Sequence, residues 1–564
     1  MLFLVENLFS RVSARLIAGV AMILLTSVFA FGQDPQMTPT PKPTPDEVPP
    51  TQPNFAVPIK AMPDPARVGV DTGDPLPLTL DQAIEMALKN NNDIDASRNT
   101  VQIADFGVRA SRGIYDPLLS SQTYYESRAT PTASTIGGAV NGWVTQKQIF
   151  NDFGVTGFVP RYGGSYDVVL NSSRLNSTNR NATLNPQYPT SLVATFTQPL
   201  WRNLSIDANR RAILIAKKNV DLSDAELKTK AMDVVAGVEQ AYWNLVFALR
   251  LLQVQTETLK QAKDQLESNK RLVAKGALAP IEIVAANSQI AGYEQAIYIA
   301  QDGVTRNENT LKTLMLPDRT APEWSRSLTP VTPADIAVPR IGLEVATAEA
   351  IKNRPEIAQL EASSDINKID QRYFKNQTKP QIDLVSSYTS SGLAGSPNLN
   401  SSGGSTVPEN LQGGYFGSLT NLLQQDYPTY RFGVQVSLPW GNHVAKANLG
   451  RSYVEGDRIA NQRAQTEQIV ESEVRNALQT VRSAEARLAS ATDARAAAEE
   501  LYASEERLFR GGTTTFYLVT QRQTELSRAR SLELQARTLL NNAISDFQRA
   551  IGATLTVNNV TVSK

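Results

Sequence analysis

The fold is decided by Tyr430-Arg431-Phe432-Gly433-Val434-Gln435-Val436-Ser437-Leu438-Pro439-Trp440, a stretch in which apolar residues alternate with polar or small ones. Side chains of a β-strand alternate between its two faces, so this stretch predicts a strand with one apolar and one polar face. Strands of about ten residues with this alternation build outer-membrane barrels. A strand of a sandwich with one buried face gives the same pattern.

Shorter alternating segments occur at 165–171, 192–196 and 382–388, and long polar segments at 171–190 and 389–425 separate the paired strands. Long loops at one end of the strands and helices at the other favour the membrane barrel. We expect about four membrane strands per chain, with room for an extra short pair within 143–160. Because four strands cannot close a barrel and an open edge cannot face lipid, several copies must share one barrel.

The two halves of the chain resemble each other. The run Leu-Asp-Gln-Ala-Ile-Glu-Met-Ala-Leu-Lys-Asn at 80–90 is echoed by Leu343 and by Ala-Ile-Lys-Asn at 350–353. Arg-Leu-Val-Ala-Lys-Gly at 271–276 returns as Arg-Leu-Phe-Arg-Gly-Gly at 507–512, and Gln-Pro-Leu-Trp at 198–201 returns as Ser-Leu-Pro-Trp at 437–440. Since the three echoes keep their order, we infer one duplicated unit of helix, strands, long helix and helix.

The predicted units span 78–316 and 341–552, with a linker at 317–340 and a tail at 553–564. The expected elements are, in the first unit, helix 80–112, β region 118–200, helix 204–273 and helix 281–314, and in the second unit helix 343–375, β region 381–440, helix 445–510 and helix 516–551. A helix of about 70 residues is on the order of 105 Å long, and the two shorter helices of each unit nearly add up to that length. The expected fold class is therefore α+β, with a coiled-coil tower attached to the strands.

The composition argues against catalysis. Lysine plus arginine and aspartate plus glutamate number 55 each, so no basic field points to nucleic acid. Cysteine is absent and His443 is the only histidine. Thiolate chemistry, zinc sites of Cys and His, and a Ser-His-Asp triad away from His443 are thereby excluded. We expect no enzymatic activity, no cofactor and no metal site.

Residues 1–32 predict a secretory signal. Arg11 and Arg15 precede an apolar stretch at 16–29, and the small residues Ala30 and Gly32 follow it. An uncleaved anchor helix is the alternative, although the stretch is shorter than the ~20 residues that span a bilayer. Residues 33–77 are rich in proline and predict an extended or disordered leader.

In their joint order, several short motifs resemble the TolC-like outer-membrane efflux protein family. They are the opening run from Leu78 to Asn90, Gln198-Pro199-Leu200, Glu239-Gln240-Ala241-Tyr242-Trp243 and the turns at Gly276 and Gly512. The resemblance covers about 78–552. It implies a trimer with a shared barrel of about twelve strands, continuous with a periplasmic α-helical tunnel. The implied role is a passive exit duct for efflux or type I secretion in the outer membrane of a Gram-negative bacterium.

The resemblance also implies partners. A periplasmic adaptor (membrane fusion) protein would link the tunnel to an inner-membrane transporter of the RND, ABC or MFS type. The expected adaptor contacts lie at the two helix-to-helix turns: Lys275, Gly276, Ala277, Pro280, Gly511, Gly512 and Thr513. The glycines also fit a simpler structural role, as helix C-terminal caps with positive φ.

The same turns mark the implied pore constriction, with Glu282, Phe509, Arg510, Thr514, Leu518 and Gln521 as its residues. Phe509 replaces the gate tyrosine of the family and Thr514 its gating arginine, while Leu518 and Gln521 replace ring carboxylates. A cation-selective acidic ring is therefore not carried over, and Leu518 predicts a more apolar constriction that gates partly by dewetting. Glu282 either pairs with Arg510 or Lys275, or is a solvated carboxylate favoured by the helix dipole.

Three aromatic residues, Trp201, Tyr430 and Trp440, are expected at the membrane interface against outer-membrane lipid. For the two tryptophans, packing inside the strand–helix junction is the alternative. Other readings of the whole chain are a periplasmic adaptor, a structural coiled-coil protein of the envelope and a carboxylate-based hydrolase. Two equivalent helix sets joined to two-faced strands disfavour the adaptor, and the alternating strands with their polar loops disfavour the coiled-coil protein. A hydrolase would need paired acids on strand ends, which the sequence does not show.

Overall fold

The computed structural model describes residues 61–64, 66–133, 135–139, 141–334, 336–401 and 406–561. The predicted signal at 1–32 lies outside the described residues, as does the leader at 33–60 and at 65. The described end of the leader differs from the prediction, because Asp71–Leu78 is a β-strand rather than irregular chain. This strand pairs with the distant strand Arg326–Pro330. Its own proline-rich composition gives no sign of that pairing.

The described helices longer than one turn of 3₁₀ are α1 (Leu80–Asn90), α2 (Asn92–Arg112), α3 (Ala208–Ala274), α4 (Ile281–Met315), α5 (Leu343–Asn353), α6 (Pro355–Gln377), α7 (Tyr415–Gln424), α8 (His443–Arg510), α9 (Phe516–Ala550) and α10 (Thr554–Val557). The strands are β1 (Asp71–Leu78), β2 (Leu118–Pro131), β3 (Trp143–Phe158), β4 (Ser165–Ser177), β5 (Leu184–Pro199), β6 (Arg326–Pro330), β7 (Gln381–Pro397) and β8 (Tyr427–Ser437).

Each predicted opening helix is in fact two helices. In the first half, Asn91 ends α1 and caps α2, with its side chain accepting hydrogen bonds from the backbone N–H groups of Asp93 and Ile94. In the second half, Arg354 takes the same place and Pro355 begins α6. Asparagine is a strong N-cap and proline suits the first helical turn, so both breaks are local in origin.

Each long helix packs along a set of shorter ones. The 67 residues of α3 run beside α1, α2 and α4, which have 11, 21 and 35 residues and together equal its length. The 68 residues of α8 run beside α5, α6 and α9 in the same way. At ~1.5 Å per residue, each long helix extends about 100 Å. The predicted helical tower and the duplicated element order are confirmed.

Among the described residues, β2 to β5, β7 and β8 form a six-stranded antiparallel sheet in the order β2-β3-β4-β5-β7-β8. About four membrane strands were predicted, with room for an extra short pair within 143–160; the sheet has six strands, since β2 and β3 are full strands of 14 and 16 residues. The predicted long loop at 171–190 is also mostly strand. Its Asn and Ser residues lie on strands that have a polar face. Judged by composition alone, such residues suggest turns.

The apolar cores lie along the helix contacts. One surrounds Tyr242 and Trp243 of α3, a second joins Val474 of α8 to Ile544 of α9, and a third lies near the helix turns. Near Tyr242, β1 pairs in parallel with β6. No described helix is long and apolar enough to cross a membrane.

Tyr242 anchors this strand pair to α3. Its side chain is fully buried, its hydroxyl donates to the Leu78 carbonyl at 3.0 Å, and it accepts from the Thr332 N–H at 3.0 Å. Tyr242→Phe should lower the free energy of unfolding by about 1–3 kcal/mol, because the Thr332 N–H loses its acceptor in a partly buried place. Denaturant titration of the detergent-solubilised protein measures this, and an unchanged midpoint would contradict the anchoring role.

A second buried polar group lies between α3, α9 and the chain end. Glu239 accepts hydrogen bonds from the Ser545 hydroxyl and from the Asn558 amide, the latter at 2.8 Å. Burial raises the pKa of Glu239, and the nearby Asp546 carboxylate adds to the shift, while the two hydrogen bonds oppose it. The Glu239 carboxyl is therefore protonated more readily in the folded state than in the unfolded state.

A raised carboxyl pKa contributes stability that is present below the unfolded pKa and is lost as pH rises through the folded one. Glu239→Gln removes this dependence. Its melting temperature should therefore rise relative to the parent protein between about pH 5 and about pH 8. Thermal unfolding of both proteins across that range measures the difference, and a gap that shrinks with pH would contradict the assignment.

Candidate channel sheet and pore constriction

The six-stranded sheet has one apolar and one polar face. Directly paired residues lie on the same side of a sheet, so the strand registers assign each side chain to a face. The apolar face includes Tyr125, Phe153, Val168, Leu170, Leu192, Phe196, Leu384, Tyr388, Tyr430, Phe432, Val434 and Val436. The polar face includes Gln122, Glu126, Asp152, Asp167, Asn171, Thr195, Asp383, Ser387, Arg431 and Gln435. The alternation predicted for Tyr430 to Val436 is confirmed.

All four junctions between the sheet and the helices lie at one end of the sheet. The chain enters β2 and β7 after α2 and α6, and it leaves β5 and β8 toward α3 and α8. The connections at 132–142, 178–183 and 398–426 lie at the opposite end. This polarity matches an apolar band with helices on one side and loops on the other.

The long connection between β7 and β8 contains α7, which packs on the apolar face near the loop end. Ser418 and Asn421 of α7 are buried there, and Asn421 donates to the Leu393 carbonyl at 2.8 Å. The close approach requires Gly392, since a Cβ at that position would lie 2.1 Å from the Ser418 carbonyl oxygen. The sequence interpretation treated this segment as a plain polar loop and missed the helix.

The predicted interface aromatics lie at the ends and on the apolar face of the sheet. The ring of Tyr430 lies 5.2 Å from that of Tyr388 on the apolar face. Trp201 and Trp440 follow β5 and β8 at the helix end, and both are exposed in the single chain, Trp440 almost completely. Within the single chain neither tryptophan is packed inside the strand–helix junction.

The two helix-to-helix turns have the same backbone geometry. Gly276 has φ +76°, its N–H donates to the Val273 carbonyl, and the Ala277 N–H donates to the Leu272 carbonyl. Gly512 has φ +74°, with matching bonds from Gly512 to Phe509 and from Thr513 to Leu508. This is the Schellman cap, in which glycine tolerates the left-handed conformation. The capping role predicted for Gly276 and Gly512 is confirmed, and it leaves Lys275, Gly276, Ala277, Pro280, Gly511, Gly512 and Thr513 exposed.

The predicted constriction residues divide into half-buried and exposed positions at this end of the helices. Phe509 is half-buried, with its ring 6.1 Å from that of the buried Phe516. Thr514 donates to the Glu505 carboxylate across the turn. Leu518 is exposed beside the buried Val519, and Gln521 donates to Glu525 at 3.2 Å.

Arg510 does not pair with Glu282. It forms an ion pair with Glu506, one turn earlier on α8. Neither Lys275 nor any other described residue pairs with Glu282, so within one chain Glu282 is a first-turn carboxylate near the N-terminus of α4. The Arg510 guanidinium takes the nearer carboxylate because residues four apart are neighbours on a helix.

Three acidic residues near the turns were missed by the sequence interpretation. Glu505 and Glu506 precede the second turn, and Glu525 follows it on α9. A hydrogen bond from Arg522, at 2.7 Å, lowers the pKa of Glu525. The spacing of Glu506 to Arg510 and of Gln521 to Glu525 was a usable signal, since such pairs are typical of exposed helix faces.

The model of the outer membrane efflux protein family matches residues 156–315, from the end of β3 to the end of α4. The chain also has the fold of solved channels. The outer-membrane channel OprN is 16% identical over 88% of this chain and 98% of that one, with a TM-score of 0.58. CusC is 15% identical over 88% and 99%, with a TM-score of 0.59. The CmeC channel of Campylobacter jejuni is 15% identical over 84% and 86%, with a TM-score of 0.57.

No curated protein matches the chain significantly. At such low identity the solved structures show the fold alone. Together with the family model, they confirm the resemblance to outer-membrane efflux channels and the mixed helix-and-sheet fold class. The matched family is a family of ducts rather than of enzymes.

Leu518 provides a test of the constriction. Leu518→Asp should raise the preference of single channels for cations over anions, because three copies would add a ring of carboxylates to an otherwise apolar narrowing. Conductance and reversal potential in planar bilayers measure this. Tyr298→Asp, at an exposed position farther along α4, is the matched control. Unchanged selectivity in the Leu518 variant would remove Leu518 from the constriction.

Proposed function

Because the chain shares the fold of outer-membrane efflux channels and part of its sequence matches their family, we propose that it is an outer-membrane exit duct. It would act in a tripartite efflux or type I secretion system of a Gram-negative bacterium. The observation that carries the proposal is the two-faced sheet with two free edges, joined at one end to two sets of long helices. A shared barrel needs such a sheet, because its outer face contacts lipid and its free edges must pair with strands of other copies.

In this proposal three copies form one particle. Their apolar sheet faces contact outer-membrane lipid, their polar faces line a water-filled outlet, and their helices continue the channel through the periplasm. Trp201, Tyr430 and Trp440 lie near the membrane boundary, where amphipathic rings are favoured. The duct itself is passive, and an inner-membrane transporter delivers the substrates.

The constriction in the proposed duct lies at the free end of the helices. Phe509 and Leu518 supply apolar surface there, and the nearby Glu505–Thr514 and Glu506–Arg510 contacts hold each second turn together. Glu282 has no partner among the described residues, so it is available to a neighbouring copy. Opening would require the inner helices to move apart at this end.

The exposed turns would receive the periplasmic adaptor. A photoreactive residue in place of Ala277 or Thr513 should give a cross-linked adduct with an envelope protein in living cells, because both side chains are exposed at the helix tips. The same residue in place of Tyr298, exposed but well away from the tips, is the control. An adduct from position 298 without one from the tips would contradict tip docking.

The proposal is tested first by the mass of the protein extracted from outer membranes. Light scattering corrected for bound detergent should give three chains per particle, because a single chain leaves two sheet edges without partners. A monomer released without detergent would contradict the duct. It would instead favour a periplasmic adaptor or a structural coiled-coil protein of the envelope.

A further inference from the structure

We propose that β8 of one copy pairs with β2 of the next in a defined register, which places Arg431 beside Glu126 of the neighbouring copy and closes a barrel of eighteen strands. Three copies of a six-stranded sheet give this number. The inference rests on the proposed trimeric duct. It differs from the barrel of about twelve strands that the family resemblance implies.

The first step is that both outer strands lack a second neighbour. Within the described chain, β2 pairs only with β3, and β8 pairs only with β7. Every residue of β2 and of β8 is exposed, including Tyr125 and Phe432 on the apolar face. An edge of this length exposed to lipid would leave many backbone N–H and C=O groups unsatisfied, so each edge requires a partner strand.

The second step is that these two edges fit each other. The six strands alternate in direction, so β2 runs away from the helices and β8 runs back toward them. Joining β8 to β2 of the next copy continues the antiparallel order and keeps all helices on the same side of the membrane. Joining two β2 edges would instead require a parallel pair or oppositely directed helices. The head-to-tail arrangement closes into a ring.

The third step is the register. Direct pairing links Leu118 of β2, through one residue on each intervening strand, to Arg431 of β8. Leu118 is the first residue of β2, whereas Arg431 lies well inside β8, which ends at Ser437. The line of directly paired residues therefore lies farther from the helix end at β8 than at β2. If the displacement per strand stays the same, Arg431 pairs with Tyr124 or Glu126 of β2 in the next copy. Residue 125 is not a candidate, since only alternate residues share the polar face.

Barrel geometry selects the same two registers. A shift from Leu118 to Tyr124 or to Glu126 per copy gives a shear of roughly 18 or 24 residues per turn and a strand tilt of about 35° or about 43°, within the usual range. A shift to Gln122 gives about 25°, and a shift to Arg128 gives about 49°. Both of these fall outside the range of about 35–45°.

Charge favours the same registers. Arg431 is the only charged residue of β8, and β2 carries Glu126 and Arg128. Neither Glu126 nor Arg431 has an ion-pair partner among the described residues. In one selected register Arg431 faces Glu126 directly, and in the other it lies diagonal to it, within reach of a long side chain. The excluded register with the larger tilt would place Arg431 directly opposite Arg128, and these two positive charges repel each other.

Eighteen strands also match the width of the helices. At the selected tilts, eighteen strands give a circumference of about 105–118 Å. Each copy contributes four helix columns, and twelve columns spaced about 8–10 Å apart give about 96–120 Å. The match to the efflux protein family begins at Thr156. It therefore includes β4 and β5 but not β2 or most of β3.

The test uses cysteine pairs, because the chain contains no cysteine. Glu126→Cys combined with Arg431→Cys, treated with a short dimaleimide, should give a covalent trimer on a denaturing gel, as should Tyr124→Cys with Arg431→Cys at lower yield. Ser127→Cys with Arg431→Cys places one thiol on the opposite face and is the matched control. Each single variant controls for contacts between like positions.

The outcomes separate this inference from the proposed function. A particle of three chains that links through neither position 124 nor position 126, or that links equally through position 127, would overturn the register while the duct stands. A particle of one chain would overturn both. As a second measurement, Glu126→Arg should lower the temperature at which the trimer dissociates in detergent, and adding Arg431→Glu should restore it. No restoration would contradict the ion pair.

Discussion

The structure depends on the need of every backbone amide in a sheet to find a partner. Within one chain the six strands satisfy each other except along the outer edges of β2 and β8. In the proposed duct those edges lie in a bilayer and cannot turn to water, so another copy must supply a strand. The two-faced side-chain pattern would then assign lipid to one surface and water to the other.

The helices need no such partner, since the backbone N–H and C=O groups of each helix form hydrogen bonds within that helix. Their stability comes from packing along their length, and the matched lengths of α3 and its three partners let every turn of the long helix find a neighbour. The apolar contacts therefore form separate cores, and the buried polar groups Tyr242 and Glu239 lie where several elements meet. The turns at Gly276 and Gly512 lie outside these packed regions and are exposed.

The sequence predicted the elements with long, regular patterns. The duplicated order, the long helices and the alternation from Tyr430 to Val436 were all visible in side-chain periodicity. The extra strand pair was allowed for only as a short pair within 143–160, because residues 118–131 and 143–158 carry many polar side chains and their partners are unknown from the sequence. The break at Asn91 had a local signal in its capping side chain. The partner of Glu282 was left open, and the structure pairs Arg510 with Glu506, a helical neighbour that competes with any residue across the turn.

The most direct test of the account is hydrogen–deuterium exchange of the detergent-solubilised particle. If β2 and β8 pair between copies, their backbone amides should exchange as slowly as those of β4 and β5, which have neighbours on both sides within one chain. Fast exchange along both outer edges, beside slow exchange in β4 and β5, would contradict the shared barrel.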